Sequence, residues 1–337
     1  MSRLRRVSPN TPGWTRRRAD RGFAYADASG KPLNRDEVER VRSLAIPPAW
    51  CDVWICPLPN GHLQATGLDA AGRRQYLYHP AWRIQRDRAK FERVTSAAQQ
   101  LPEVRGRVAS DLATAGMPLA RAAATAVRLL DLGYFRIGND YYADANGSFG
   151  LTTLERRHVR GSADGLAFRF VGKSGIEHQV TIGDADVLAA VQAMRRRHGG
   201  ERLLAYRNGA GWADLGSAAV NAYLAELFGG EFTAKHFRTW HAGVIAAEAL
   251  ARSPEPGATE ASRRRVMRAA VVEVADYLGN TPAVARASYI DPRLFDLYES
   301  GLTIADALAQ MDDAHGGPGV SGRQEALERA VLELLNR

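Results

Sequence analysis

Only four of the 45 basic residues in this chain are lysine: Lys31, Lys90, Lys173 and Lys235. Arginine keeps its proton under protein conditions, whereas a lysine gives it up when its surroundings lower its pKa. A lysine kept in an arginine-rich chain is therefore a candidate proton donor, although nucleotide composition explains the bias as well. Two of the four have suggestive neighbours. Gly172-Lys173-Ser174 has the ending of a phosphate-binding loop, but the glycine required five residues earlier is Ala167, and a strand rather than a helix comes next. What remains is a lysine at a hairpin tip, either reaching a phosphate or simply exposed. In AKHFRTWHAG (234–243), Lys235 and Arg238 are three residues apart on a helix and share a face. They converge on one phosphate or form a solvent-facing pair, and the apolar flanks with Trp240 favour a buried helix.

Three further stretches carry chemistry-capable groups. YFRIGNDYY (134–142) sets Arg136 just past a helix end, followed by Gly138 and two tyrosines; a lone arginine there is ordinarily structural. RRQYLYH (73–79) alternates, so Arg74, Tyr76 and Tyr78 face one way while Gln75, Leu77 and His79 face the other. Arg, Gln and Tyr in one strand suit base edges and phosphates, or merely a solvated strand surface. LGNTPAVARASYIDP (278–292) reads as a short helix: Gly279 ends the helix before it, Thr281 caps, Pro282 suits the first turn, and Pro292 cannot continue the ladder. Asn280 stands at one end of it and Tyr289 at the other. If both side chains are to meet one phosphate, such a helix is too long and must bend near Ser288-Tyr289.

The elements that must position these residues change character along the chain. From Phe23 to Tyr78, short alternating runs separated by Gly, Pro and Asn turns predict a small β-rich domain with one helix over 34–43. Beyond Pro80 helical spacing dominates, interrupted by a hairpin of 165–171 and 176–182 around Lys173. Helices are predicted over 184–197, 216–228, 233–251, 259–278, 282–289, 302–312 and 322–336. The fold class is α+β: a small β-rich N-terminal domain and a larger, mainly α-helical domain with a β-hairpin insert. The division runs 1–21 as a basic arm, 22–80, 81–312, and 313–337 as linker and last helix.

Composition narrows the function classes. The chain has 337 residues, 45% hydrophobic and 24% charged, which suits a soluble globular protein. No apolar run approaches a membrane span, and no signal core comes after the basic start. A cytoplasmic protein is expected. Cys51 and Cys56 are the only cysteines and the eight histidines are scattered, so neither a disulfide framework nor metal chemistry is indicated. The net charge of +8 points to a polyanion, and residues 1–21, with seven arginines against Asp20, carry most of it.

Each signal is weak alone, but in this order they are specific. The series Arg136, Lys173, Lys235-x-x-Arg238, Asn280 and Tyr289 resembles the type IB DNA topoisomerases, in the compact branch of bacteria and poxviruses. The resemblance covers IPPAW (46–50), GRRQYLY (72–78), RIGN (136–139), FVGKSG (170–175), KHFRTW (235–240) and LGNTPAVARASYIDP.

The resemblance implies that Tyr289 attacks a phosphodiester of double-stranded DNA, forming a 3′-phosphotyrosyl link and freeing a 5′-hydroxyl. A phenol of pKa ~10 needs cations around its target to do this. Arg136 and Arg238 would hold the non-bridging oxygens, Lys173 would protonate the leaving oxygen, and Lys235 would assist. The bond energy stays in the phosphotyrosine, so no cofactor, metal or ATP is expected, and the chain would act as a monomer that relaxes supercoils of both signs. The two domains would clamp duplex DNA, with Arg74, Gln75, Tyr76, Tyr78 and Tyr142 as contacts. Many family members carry histidine where this chain has Asn280; an amide donates to a phosphate oxygen but is no acid. The nearest rival is a tyrosine recombinase. That family places histidine three residues before the second arginine, where Lys235 stands here, and has a helical N-terminal domain. A non-catalytic DNA-binding protein would explain the basic arm but not the constellation.

Overall fold

The structure, a computed structural model, describes residues 3–133, 135–139, 147–209, 211–230, 232–253, 259–313 and 320–337. The alternating runs of the N-terminal part form β1 (Trp14–Ala19), β2 (Gly22–Ala26), β3 (Cys51–Ile55), β4 (Leu63–Leu68) and β5 (Arg74–Tyr78). They make one antiparallel sheet of order β2-β1-β3-β4-β5. Helix α1 (Arg35–Ser43) begins at a reciprocal cap, in which Glu37 N–H donates to Asn34 Oδ1 and Asn34 N–H donates to the Glu37 carboxylate. Trp14, Val41, Ile46, Val53, Ile55 and Ala65 form the core of this unit.

The expected free arm over 1–21 is corrected by this sheet. Trp14–Ala19 is an interior strand, anchored by the buried Trp14. Arg16 is spent internally: its guanidinium donates to the carbonyls of Ile46, Pro47 and Trp50 at 3.1, 2.9 and 2.6 Å. Arg5 also pairs with the sheet unit, donating its N–H to Asn60 O and accepting from His62 N–H. Clustered charge read as a tail, whereas hydrogen-bond demand made part of it a strut.

The chain divides into two compact units, 1–92 and 93–337. The division falls inside α2 (Pro80–Ala98), close to the expected boundary near residues 79–90. Two contacts tie the first turn of α2 to the sheet unit. Ala81 N–H donates to His79 Nδ1 at 3.1 Å, and Trp82 meets His62 edge-on at 4.7 Å.

The second unit holds α3 (Leu101–Leu112) and α4 (Leu119–Gly133), then a three-stranded antiparallel sheet of β6 (Val159–Ser162), β7 (Gly165–Val171) and β8 (Glu177–Ile182). After α5 (Ala185–Arg195) comes a two-stranded ribbon, β9 (Ala205–Asn208) and β10 (Gly211–Asp214). Then come α6 (Ser217–Phe228), α7 (Ala234–Ala251), α8 (Glu260–Leu278), α9 (Pro282–Ser288), α10 (Arg293–Glu299), α11 (Ala305–Asp313) and α12 (Val320–Leu335). The ribbon and α10 were not anticipated; four-residue strands are too short to display alternation. Helices α4 and α7 form the centre. The alanines of α4 let neighbours approach closely, and Phe237 to Val244 of α7 are all buried.

A buried charge network joins four helices of this unit. Arg105 of α3 donates to Asp131 of α4 at 2.8 Å and to Glu328 of α12 at 2.6 Å, and His241 Nε2 of α7 lies 3.4 Å from Asp131. Burial alone would raise the Asp131 pKa, but Arg105 and His241 override it and hold the carboxyl well below its usual range. Asp131, His241 and Glu328 together have metal-capable groups. The Arg105 guanidinium bonds both carboxylates of that trio and so supplies the positive charge itself.

Candidate active site

Arg136 lies just beyond the end of α4 and is fixed by backbone pairing. Leu151 N–H donates to Arg136 O and Thr152 N–H to Ile137 O, both at 2.8 Å. The two segments touch at glycines: a Cβ on Gly150 would lie 2.5 Å from Gly138 Cα, and Gly138 itself has φ +96°. The half-buried Arg136 then donates from Nη2 to Asn280 Oδ1 at 2.6 Å.

Arg238 sits in the middle of α7 and is only 4% exposed. Its Nη2 donates to Leu278 O, the last residue of α8, at 2.7 Å, and its guanidinium lies 5.6 Å from the Tyr289 ring centroid. Burial, then the charge of Arg136, push its pKa down to about 10, with Tyr289 opposing. Burial likewise lowers Arg136, again against Tyr289. Both stay protonated at neutral pH. Two cations, one half-buried and one buried, that crowd each other describe a place prepared for an anion.

Asn280 is set by the end of α8, where Gly279 takes the left-handed conformation (φ 59°, ψ 50°) and Asn280 N–H donates to Ala275 O. Arginine offers no acceptor, so the amide oxygen must face Arg136 and Nδ2 must point away. Among the described residues, Asn280 Nδ2 and Arg136 Nη1 are buried with no hydrogen-bond partner. Unpaired buried donors are costly, and two at one place call for an acceptor from outside.

Thr281 caps α9 by accepting Val284 N–H, and Pro282 opens its first turn. The helix stops after seven residues; Tyr289 leaves it with φ −127° and ψ −30° while its N–H still donates to Ala285 O. This is the bend expected near Ser288-Tyr289, and it brings the ring under Arg238. Behind it, the buried Asp291 accepts from Arg293 N–H at 3.0 Å and from its Nη2 at 2.7 Å, closing the segment.

The two lysines stand apart from this cluster in character. Lys173 is exposed at the tip of the β7–β8 hairpin, in a turn where Ser174 has φ 67°. Lys235 is exposed in the first turn of α7, whereas Arg238 on the same helix is buried. Position 235 is the second residue of the helix and still at its rim, whereas 238 is a turn further in. His236, beside it, is committed to the helix start, its Nδ1 accepting Thr233 N–H at 2.9 Å.

His178 of β8 belongs to the site and was not singled out from the sequence. Its ring stacks on Phe170, its register partner in β7, with centroids 5.1 Å apart. It lines a small cavity with Arg136, Gly172 and Arg238. Burial, then the charges of Arg136 and Arg238, lower its pKa, so the imidazole is neutral at pH 7. Pairing 170 with 178 across the predicted hairpin was the available signal.

The β5 candidates lie in the other unit. Tyr76 and Tyr78 are exposed and stacked, with ring planes 14° apart. Arg74 is exposed too and reaches Asp52 at 3.3 Å. Gln75 is on the opposite, half-buried face, as strand alternation requires, and its amide donates to Asp69 at 2.8 Å. It does not join the tyrosines. Tyr142 lies outside the described residues.

Residues 79–309, more than half of the chain, match the family model described as eukaryotic DNA topoisomerase I, catalytic core. Residues 22–69 match that of the bacterial DNA topoisomerase IB N-terminal domain. A DNA topoisomerase 1B of Acanthamoeba polyphaga mimivirus is 27% identical over 289 residues, covering 83% of this chain and 85% of its own. The DNA topoisomerase I of monkeypox virus is 26% identical over 117 residues, 34% of this chain and 37% of its own. The vaccinia virus (strain Copenhagen) DNA topoisomerase 1B is 25% identical over the same shares.

Proposed function

The chain belongs to the type IB DNA topoisomerase family, and from that premise we propose that it relaxes duplex DNA supercoiled in either sense, cutting one strand through Tyr289. The observation that carries this reading is the pair of unpartnered buried donors, Arg136 Nη1 and Asn280 Nδ2, beside two arginines and the Tyr289 ring. That arrangement suits a phosphate whose charge grows in the transition state. The Tyr289 oxygen forms a bond to phosphorus as its proton leaves to water. The bond from phosphorus to the 5′ oxygen breaks, and that oxygen takes a proton from Lys173. Arg136, Arg238 and Asn280 hold the non-bridging oxygens throughout. Lys235, at the exposed rim of α7, serves as an auxiliary cation.

Because one phosphoester replaces another, the reverse attack by the 5′-hydroxyl needs no ATP. The charge that a metal supplies elsewhere comes here from guanidinium groups, and the reading requires no cofactor. Arg74, Tyr76 and Tyr78 on the exposed face of β5 would contact the duplex. The recombinase alternative is less well supported. The N-terminal unit is a β-sheet, and His236 is engaged in capping α7 rather than offered to a phosphate.

Plasmid relaxation in EDTA without ATP tests the proposal. The wild-type chain should relax both positive and negative supercoils, and a denaturing gel should trap it on the 3′ side of the nick. Tyr289→Phe should abolish both while still binding DNA, since the ring under Arg238 is kept. Relaxation that survives in Tyr289→Phe, or none by the wild type across a range of salt, would overturn it.

A further inference from the structure

Gly172 poses a question that its backbone does not answer. Its φ of −94° and ψ of −165° are extended values open to any residue, and it precedes Lys173 directly. What excludes a side chain is the His178 ring: a Cβ on Gly172 would lie 2.6 Å from Cδ2 and 2.7 Å from Nε2. On its other side the same ring meets Gly279, where a Cβ would lie 2.7 Å from Cε1 and 3.4 Å from Nε2. The Cε1–Nε2–Cδ2 edge of His178 thus fills a notch between two glycines. One leads into the Lys173 turn and the other into Asn280.

The remaining surroundings fix what this edge offers. Phe170 supports the ring face, and Arg136 and Arg238 line the same small cavity. Among the described residues neither ring nitrogen has a hydrogen-bond partner within the chain. With cations on that side, the neutral ring is favoured, and a neutral imidazole carries one N–H. An N–H on Nε2 would lie at the edge that faces both glycines; Arg136, which lines the same cavity, and Asn280, which follows Gly279, each keep a buried donor without a partner among the described residues.

Resting on the strand-cleavage reading above, we infer that His178 is a further catalytic residue, whose Nε2–H donates a hydrogen bond to an oxygen of the attacked phosphate. Asn280 and His178 together then supply two neutral donors between the arginines and the Lys173 turn. Loss of one such donor costs about 10²–10³-fold in rate where it has been measured. A value toward the lower end is expected with the arginines in place.

Single-turnover cleavage of a duplex that traps the covalent adduct tests this, using the full chain with His178→Ala, His178→Phe and His178→Gln. Phenylalanine keeps an aromatic ring without a donor, and glutamine keeps an N–H donor without the ring. The Ala and Phe variants should cleave about 100-fold more slowly than wild type, the Phe variant with unchanged DNA affinity and melting temperature, and Gln should recover most of the loss. Cleavage by the Phe variant within about twofold of wild type, or a Gln variant as slow as Ala, would show a packing role only and overturn the inference. Failure of the wild type itself to form the adduct would instead sink the strand-cleavage reading, so the two outcomes are separable.

Discussion

Replacing Asn280 by aspartate changes almost no volume and isolates what the amide contributes. The Oδ1 acceptor for Arg136 at 2.6 Å survives, so the site keeps its frame. Nδ2, the buried donor without an internal partner, is exchanged for an oxygen. Two costs then fall on the phosphate. Losing a preorganised donor removes about 2.7–4 kcal/mol from transition-state stabilisation. A carboxylate oxygen ~4 Å from a phosphate oxygen adds a repulsion of about 4 kcal/mol at an effective dielectric of ~20. The two overlap and do not sum fully, so the cleavage rate should fall by about 10³–10⁵. Asn280→Ala, which loses the donor and the acceptor for Arg136 but adds no charge, should fall by only about 10²–10³. Melting temperature should hold in the aspartate variant, because Arg136 keeps an acceptor, now a charged one. Acid should not rescue it above the ordinary carboxylate range of ~3.9, since Arg136 holds the new carboxyl low. Single-turnover cleavage of a trapping duplex measures these rates. An aspartate variant no slower than the alanine variant would refute the placement of Nδ2 against the phosphate.

Other consequences are open to simple measurement. Gly172→Ala should slow cleavage at least tenfold, because its Cβ meets the His178 ring at 2.6 Å, at a stability cost of ~1–3 kcal/mol by denaturant titration. Arg105→Ala should cost ~3–5 kcal/mol, since it strands the Asp131 and Glu328 carboxylates in the core. The folded pKa of Asp131 lies below its unfolded value, so its contribution is complete at neutral pH and is lost as pH falls below ~4 toward the folded value. Urea midpoints from pH 7 to pH 3 should show that decline, and Asp131→Asn should flatten it. Tyr76→Ala with Tyr78→Ala should weaken duplex binding in a salt titration while leaving the rate of the bound complex within about twofold, as for contacts that position the duplex without reacting.

Much of this was legible because the informative residues carry their own local rules. Thr281, Pro282 and Gly279 announce the ends of α8 and α9 by capping chemistry, and the hairpin around Lys173 is dictated by alternation. The order Arg136, Lys173, Arg238, Asn280, Tyr289 was readable as a pattern. Its convergence was not, since Arg136 and Asn280 meet across 144 positions of sequence. His178 escaped because only cross-strand register places it between two glycines. Arg16 misled for a related reason: charge counting does not reveal that three carbonyls already claim its guanidinium. Lys235 and Arg238 share a helix but differ in burial, because a helix has a rim as well as a face and periodicity does not say where the rim falls.

The closure of α9 at both ends bears on stoichiometry. Thr281 and Pro282 fix its start, Asp291 with Arg293 fixes its exit, and seven helical residues lie between. The tyrosine that this segment delivers meets an arginine of its own polypeptide. On the proposed reading each molecule would carry its own phosphate-facing groups. Catalysis should accordingly scale with the first power of protein concentration, and mixing two differently inactivated chains should restore nothing.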